Sequence, residues 1–337
     1  MKLVFAIPTW NRANQLFECV TSIAEQNPDA IYISDNCSTD QTTEVCRLLA
    51  DKYPFVFYNR LSEHVFAEEN LKEVVSFAEG DYIWTFGDDD ILLSGALDFA
   101  RRLIDHGLDF YHVAEIGRST TNSARKGTLL NLCCSFGFLE MTGFMTGNIT
   151  KAEKLKAACD TENWGVYAHS AFAHSLALLE VLAECEAALI DVPMIRAAAE
   201  NPDTVERWKI EKTTSRYIYI VEGLMLLRDA GIVPEKLPEM FFRYLNGALI
   251  KRLMNDFLAR TFNPECPVPD QEWKCFEELI RFIEEPRGSI LMEWFKRVEA
   301  ESLKKLPIIL EALYAVKSIK VEANTIQLPE YPFTYLD

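Results

Sequence analysis

Residues 80–93 read GDYIWTFGDDDILL. A run of strand-forming residues, Tyr82 to Phe86, ends in Gly87 and three consecutive aspartates, and a second apolar run, Ile91 to Leu93, follows at once. Three adjacent carboxylates repel one another, and a buried strand cannot shelter them cheaply. The triplet therefore belongs where a strand leaves a sheet.

Working outward from that stretch, strands and helices alternate. LVFAIP (3–8), AIYISD (30–35), FVFYNR (55–60), YIWTFG (82–87) and DFYHVAEI (109–116) are compact β-forming runs. Between them ANQLFECVTSIAEQ (13–26), DQTTEVCRLLADKY (40–53), AEENLKEVVSFAEG (67–80) and SGALDFARRLIDHG (94–107) carry apolar residues at helical spacing. Asp40 is a candidate N-cap, and Gly80 and Gly107 are candidate helix ends. Such alternation predicts a mostly parallel sheet covered on both faces. Ligands then bind beyond the carboxyl ends of the strands. The polar segments PTWNR, DNCSTD and GDDD follow the first, second and fourth strands, where that rule puts a site.

From 117 to 140 the pattern loosens, and RSTTNSARKGT is expected to be a polar loop. GFMTGNI (143–149) is strand-like, a helix starts near 151, AHSAFAHSLALLEVLAEC (168–185) is a long apolar helix, and AALIDVPMI (187–195) is a last strand. NPDT (201–204) makes a turn, and from about 205 the chain reads as helix after helix: 205–230, 235–260, 270–285, 288–304 and 307–320. The expected organisation is an α/β domain over 1–204, a helical domain over 205–325 and a tail over 326–337.

Composition narrows the function. The chain has 337 residues and a net charge of −17. A nucleic-acid binder would show a basic stripe, and electrostatic docking on anionic lipid would need one too. Nine cysteines are scattered without a CxxC pair, which favours reduced thiols in a cytoplasmic protein over a zinc site. MKLVFAIPTWNR reads as a first strand rather than a signal peptide, and no apolar run is long enough to span a membrane.

The triplet itself suits a divalent cation. Carboxylates tolerate close approach when a hard cation sits between them, and Mn²⁺ or Mg²⁺ would also bridge phosphate oxygens. Alternation along a strand pairs Asp88 with Asp90; an adjacent pair converges if the strand has already ended. The competing reading is an acidic cap for the helix that starts near Ser94. Asn11 and Arg12 can hydrogen-bond a ligand, against the alternative that Asn11 caps a helix. A turn-and-cap reading is likewise open to Asp35, Ser38 and Asp40.

Taken together, FAIPTWNR (5–12), ISDNCSTDQT (33–42) and GDYIWTFGDDDIL (80–92) resemble the family 2 glycosyltransferases of GT-A fold, in order and spacing. VPMIRAAAENPDT (192–204) resembles a later segment of the same domain, so the likeness covers about residues 1–204. It is nearest to bacterial surface-polysaccharide enzymes of the abequosyltransferase-like group. The resemblance implies a Rossmann-like nucleotide-sugar fold with an all-α appendage. It implies a nucleoside diphosphate sugar donor, a saccharide or lipid-linked saccharide acceptor, and inversion at the anomeric carbon. Pro8, Thr9, Asn11 and Arg12 would line the nucleotide pocket, Asp35 would bond the base with Asn70 near it, and Asp88, Asp89 and Asp90 would hold ribose and metal.

Two departures stand out. The family commonly has Asp where this chain has Gly87, which leaves Asp89 at the usual metal position and Asp88 or Asp90 to take the lost role. The family's acidic base is also missing from ENWGVYAHSAFAHS (162–175); His169 stands in its place, with Glu162 and Asp160 as alternatives. A neutral imidazole can serve as a base, or His169 can simply bond a backbone carbonyl. TVERW (204–208) is similar to the Gln-x-x-Arg-Trp of processive synthases but has Thr204 for Gln, so Trp208 is first a helix core residue. Gly143 and Gly147 flank a segment that lies under the acceptor in the family, or simply pack closely. His174, Trp164, Leu224, Met225 and Leu227 are expected in the core, the last three alternatively at an oligomer contact. The helical domain either closes one side of the acceptor site or joins two copies, and the protein as a whole is expected in the cytoplasm with peripheral contact at the inner membrane face as an option.

A dehydrogenase would need GxGxxG after the first strand, and PTWNRAN has none. The remaining rival is a catalytically degenerate nucleotide-sugar-binding protein.

Overall fold

The computed structural model describes residues 1–117, 123–197, 218–237, 241 and 270–282. The strands are β1 (Leu3–Thr9), β2 (Ala30–Asp35), β3 (Val56–Arg60), β4 (Tyr82–Thr85), β5 (Ile91–Leu92), β6 (Phe110–Glu115), β7 (Ala124–Thr128), β8 (Asn148–Lys151) and β9 (Glu186–Arg196). The helices are α1 (Ala13–Ala24), α2 (Thr42–Lys52), α3 (Ala67–Phe77), α4 (Ala96–Ile104), α5 (Leu129–Phe136), α6 (Phe138–Thr142), α7 (Ala152–Cys159), α8 (Trp164–Tyr167), α9 (Ala173–Leu182), α10 (Ile220–Asp229) and α11 (Asp270–Phe282). A 3₁₀ turn, Met145–Gly147, leads into β8.

Among the described residues the strands form one sheet in the order β3-β2-β1-β4-β8-β6-β9-β5, with β7 on β9. Strands β1, β2, β3, β4, β6 and β9 share a direction, and β5, β7 and β8 oppose it. The chain moves outward from β1 through β2 to β3, then returns to place β4 on the other side of β1. The loops after β1 and β4 therefore flank a topological switch point, where an open α/β sheet offers a crevice.

The core lies on both faces of the sheet. One side joins Leu3, Phe5, Ile7, Trp84 and Phe86 to α1 and α4, with Phe5 stacked on Trp84 at 5.2 Å. The other joins Val4, Ala6 and Ile83 to α3, α7 and α9. Helix α10 belongs to this second core through Ile220, Val221, Leu224 and Leu227, so Leu224 and Leu227 are buried as expected, with Met225 packed against them. Gly223 lies against Leu176 so closely that a Cβ there would come within 2.4 Å of Leu176.

Several stretches differ from the sequence reading. The expected strand over 143–149 is a 3₁₀ turn at Met145–Gly147, and β8 begins only at Asn148. The expected polar loop contains β7 and α5, with Thr128 capping α5 by accepting from the Asn131 N–H. The ARKGT strand is half-buried along its whole length, so no alternation marks it. The long helix expected over 168–185 is broken: α8 ends at Tyr167, turns carry 168–172, and α9 starts at Ala173. Helix α3 ends at Phe77, before Gly80, which instead lies close under Val4. The 201–204 turn, the TVERW segment, the tail and the remaining C-terminal helices lie outside the described residues, so the expected 205–325 domain is seen only in α10, α11 and their flanks. No described helix is long and apolar enough to cross a membrane. The described cysteines are free thiols.

His174 packs beside a small interior cavity lined also by Thr85, Asn148, Cys159 and Trp164. Its Nε2 lies 3.1 Å from the Thr142 carbonyl. Burial lowers its pKa to about 4, against the pull of backbone bonds at Thr142 and Gly143. A depressed histidine contributes stability above its ordinary value of about 6.5 and loses it as pH falls toward 4. Between pH 7 and 5 the wild type is expected to lose about 2 kcal/mol that a His174→Gln variant does not lose. Urea midpoints of both proteins at the two pH values check this; parallel slopes would refute it.

Candidate functional site

The site starts at the end of β1. Asn11 takes φ 54°, a left-handed conformation that asparagine tolerates because its short polar side chain bonds locally. Its N–H donates to Ser38 Oγ at 2.9 Å, and its Oδ1 accepts from the Thr39 N–H at 2.8 Å. The loops after β1 and β2 are thereby joined. Asn11 does not cap α1, whose N-cap position is Arg12; the Arg12 N–H instead donates to Thr42 Oγ1 at 2.9 Å.

Asp35 sits inside this joint, fully buried. Its carboxylate accepts from the Ser38 N–H (2.9 Å), Thr43 Oγ1 (2.8 Å) and Tyr58 OH (3.3 Å), with Arg60 Nε at 3.5 Å. A buried carboxylate must be satisfied, and these partners occupy it. Asn70 is also buried. It accepts from Ser34 Oγ at 2.7 Å and donates to the carbonyls of Ser34 (3.2 Å) and Thr9 (3.4 Å), tying β1 to β2. Gln41 rather than Asp40 holds the N-cap position of α2; Asp40, just before it, accepts from the Thr42 N–H at 2.9 Å. Burial pushes its carboxyl up, but the bonds from Thr42 outweigh this and hold it below its ordinary value.

The loop after β4 meets this platform at Arg12. Arg12 Nη1 donates to Asp89 and lies 3.9 Å from Asp88, and Thr9 Oγ1 donates to Asp88 at 2.7 Å. Asp88 and Asp89 therefore form the converging pair, and the alternation argument for Asp88 with Asp90 is corrected. Strand β4 ends at Thr85, so by residue 88 a turn has replaced the pleat. Asp90 is buried and bonds elsewhere, accepting a hydrogen bond from the Thr146 hydroxyl. The triplet does not cap α4, whose N-cap position is Gly95.

Burial and the neighbouring Asp89 push the Asp88 carboxyl up to about 7, against Arg12, the Thr9 hydroxyl and the Trp10 N–H. A second cation here would relieve that crowding. Asp88 and Asp89 remain partly open, with side-chain exposures of 13% and 27%. No group of three or more His, Cys, Asp or Glu side chains among the described residues is arranged to hold a metal alone. The donor set thus fits a half-site: two hard carboxylate ligands, with the rest supplied by phosphate oxygens and water, as Mg²⁺-type ions accept.

Three further features escaped the sequence reading. Trp10 is 41% exposed beside Pro8 and Thr9, its ring 4.4 Å from that of His64. His64 in turn lies 3.3 Å from the Asn36 carbonyl, and Asn36 clamps Val65 with two bonds of 2.8 Å. The aromatic in PTWNR was visible; its exposure was not. Thr146 carries Asp90, as described above. Glu222, on α10, lies 3.4 Å from Nδ1 of His169.

His169 stands on the turn after α8, largely exposed, with Tyr219 edge-on at 6.0 Å. Glu222 also accepts from Gln271 Nε2 at 2.8 Å. An ionised carboxylate only accepts, so the pairing places the proton on Nδ1 and leaves Nε2 as the basic atom. Asp160 is largely exposed and pairs with Lys72 at 3.4 Å, and Glu162 is exposed on the loop before α8. Trp164 bonds Glu69 through Nε1 at 2.8 Å, consistent with its core placement.

Comparison with known proteins bears on this geometry. Residues 4–163 match the family described as Glycosyl transferase family 2. Over 116 residues the chain is 40% identical to abequosyltransferase RfbV of Salmonella typhimurium, covering 33% of this chain and 35% of that protein. The chain thus spans about a third of the length of the curated relative it matches. The fold is shared with crystal structures of S. aureus TarS 1-349. One has a TM-score of 0.54 at 17% identity, and one in complex with UDP-GlcNAc has 0.56 at 18%; each comparison covers 85% of this chain and 82% of the other.

Proposed function

We propose that this chain, whose residues 4–163 match the family described as Glycosyl transferase family 2, moves a sugar from a nucleoside diphosphate sugar to an acceptor hydroxyl in surface polysaccharide synthesis. One observation carries the reading. Arg12 bridges Asp88 and Asp89 across the switch point between β1 and β4, the place where open α/β sheets bind their ligands.

In this reading Thr9, Arg12 and the Asp88–Asp89 pair face the ribose and diphosphate, and the exposed ring of Trp10 stacks on the base. Asp35, Asn36, Asn70 and Asn11 hold the two loops that present them. Asp88 and Asp89 would hold a Mn²⁺ or Mg²⁺ ion, which when bound neutralises charge on the departing diphosphate. His169 Nε2 takes the acceptor proton as the new glycosidic C–O bond forms and the anomeric carbon–phosphate oxygen bond breaks. Attack from the face opposite the diphosphate inverts the anomeric centre, through an oxocarbenium-like transition state.

The Salmonella relative is named an abequosyltransferase, and the TarS complex contains UDP-GlcNAc. A donor-hydrolysis screen over uridine, cytidine, guanosine and thymidine diphosphate sugars tests the proposal. At least one donor is expected to be cleaved with Mn²⁺ and spared in EDTA. Absence of cleavage of every donor, with and without acceptor mixtures, would favour the degenerate binding protein.

A further inference from the structure

Asp90 is the member of the triplet that the site does not use. Its carboxylate accepts a hydrogen bond from the Thr146 hydroxyl, and Thr146 Oγ1 in turn accepts the Gly87 N–H at 2.9 Å. A hydroxyl has one donor and two acceptor positions, so both bonds are compatible. Thr146 is 2% exposed and Asp90 5%.

The turn that carries Thr146 is itself fixed. Trp84 Nε1 donates to the Thr146 carbonyl at 2.8 Å, and Thr85 Oγ1 donates to the Met145 carbonyl at 2.9 Å. Gly147 lies against His112, and the His112 ring is 3.0 Å from Asn148 Oδ1. A Cβ on Gly87 would fall 2.7 Å from Asp90 Oδ2 and 3.0 Å from Thr146 Oγ1. The glycine and the Thr146–Asp90 pair therefore require each other.

We propose that Thr146 is a positioning residue: through Asp90 and the Gly87 amide it sets the bend after β4 that turns Asp88 and Asp89 toward the ligand. Asp90 is the anchor of that bend and not a metal ligand. The proposal rests on the transferase reading for its functional consequence, and on geometry alone for the hold on the loop. It also changes the meaning of Gly87. An aspartate there does not restore a lost function; it displaces Asp90 from Thr146.

The test uses the full chain with T146V, T146S, D90N and G87D. Amide hydrogen exchange over residues 86–91 is followed without ligand, and donor turnover is followed against Mn²⁺ concentration. T146V, which keeps shape and loses the hydroxyl, is expected to speed exchange in the loop and to raise half-saturating Mn²⁺ about tenfold, the usual cost of losing an outer partner of a metal site. T146S recovers both. D90N keeps an oxygen acceptor for the threonine, so half-saturating Mn²⁺ stays within about threefold of wild type, whereas loss of a direct ligand would cost about tenfold or more. G87D behaves like T146V. The proposal is overturned if T146V exchanges like wild type, if T146S is as impaired as T146V, or if D90N raises the Mn²⁺ requirement as D89A does. Should the wild type turn over no donor at all, the transferase reading fails while loop exchange still decides the hold of Thr146.

Discussion

Asp89→Ala is expected to lower sugar transfer about a thousandfold or more, equivalent to about 4 kcal/mol of lost transition-state stabilisation. Asp89 is the partner that Arg12 grips, and it is the more open of the converging carboxylates. Removing it takes away one of two ligands of the half-site and leaves Arg12 beside a single aspartate. Diphosphate leaving is then less stabilised, and the loss falls on kcat as well as on the Mn²⁺ requirement. Initial rates at saturating donor over a Mn²⁺ series measure both. Full activity with unchanged Mn²⁺ affinity would remove Asp89 from the site.

His169→Ala is expected to lower kcat about a hundredfold while leaving the donor KM near its wild-type value, the pattern of a lost general base. Glu222 lies against the imidazole Nδ1, so Glu222→Gln should lower kcat, but less than His169→Ala does. Partial rescue of the His169→Ala protein by free imidazole would support the role. Unchanged kcat in His169→Ala would pass the base to Asp160 or Glu162, whose exposed positions are open to the same substitution test.

Much of the α/β half was legible because its signals are local. Compact apolar runs gave β1 to β4 and β6, and helical spacing gave α1 to α4 within a few residues. PTWNR, DNCSTD and GDDD lie after β1, β2 and β4 as expected, and the order β2-β1-β4 puts the first and last side by side. What failed depended on distant partners. Nothing local shows that Asp35 and Asn70 are held by side chains from neighbouring loops and strands. Alternation paired Asp88 with Asp90 because nothing local says that β4 stops at Thr85. Thr146 lies 56 residues from Asp90 along the chain, and Glu222 lies 53 from His169. No spacing rule connects pairs that far apart. Strand β7 was missed for a different reason: ARKGT carries neither alternation nor β-branched residues apart from its last threonine.

Calorimetric titration of the full chain with nucleoside diphosphates, with Mn²⁺ and then with EDTA, tests the central claim most directly. The account predicts that at least one diphosphate binds, that EDTA weakens it at least about tenfold, and that Asp89→Ala abolishes the metal dependence. Binding of no diphosphate under either condition, or binding indifferent to both EDTA and Asp89→Ala, would contradict the assignment of the β1–β4 crevice as a metal-assisted nucleotide-sugar site.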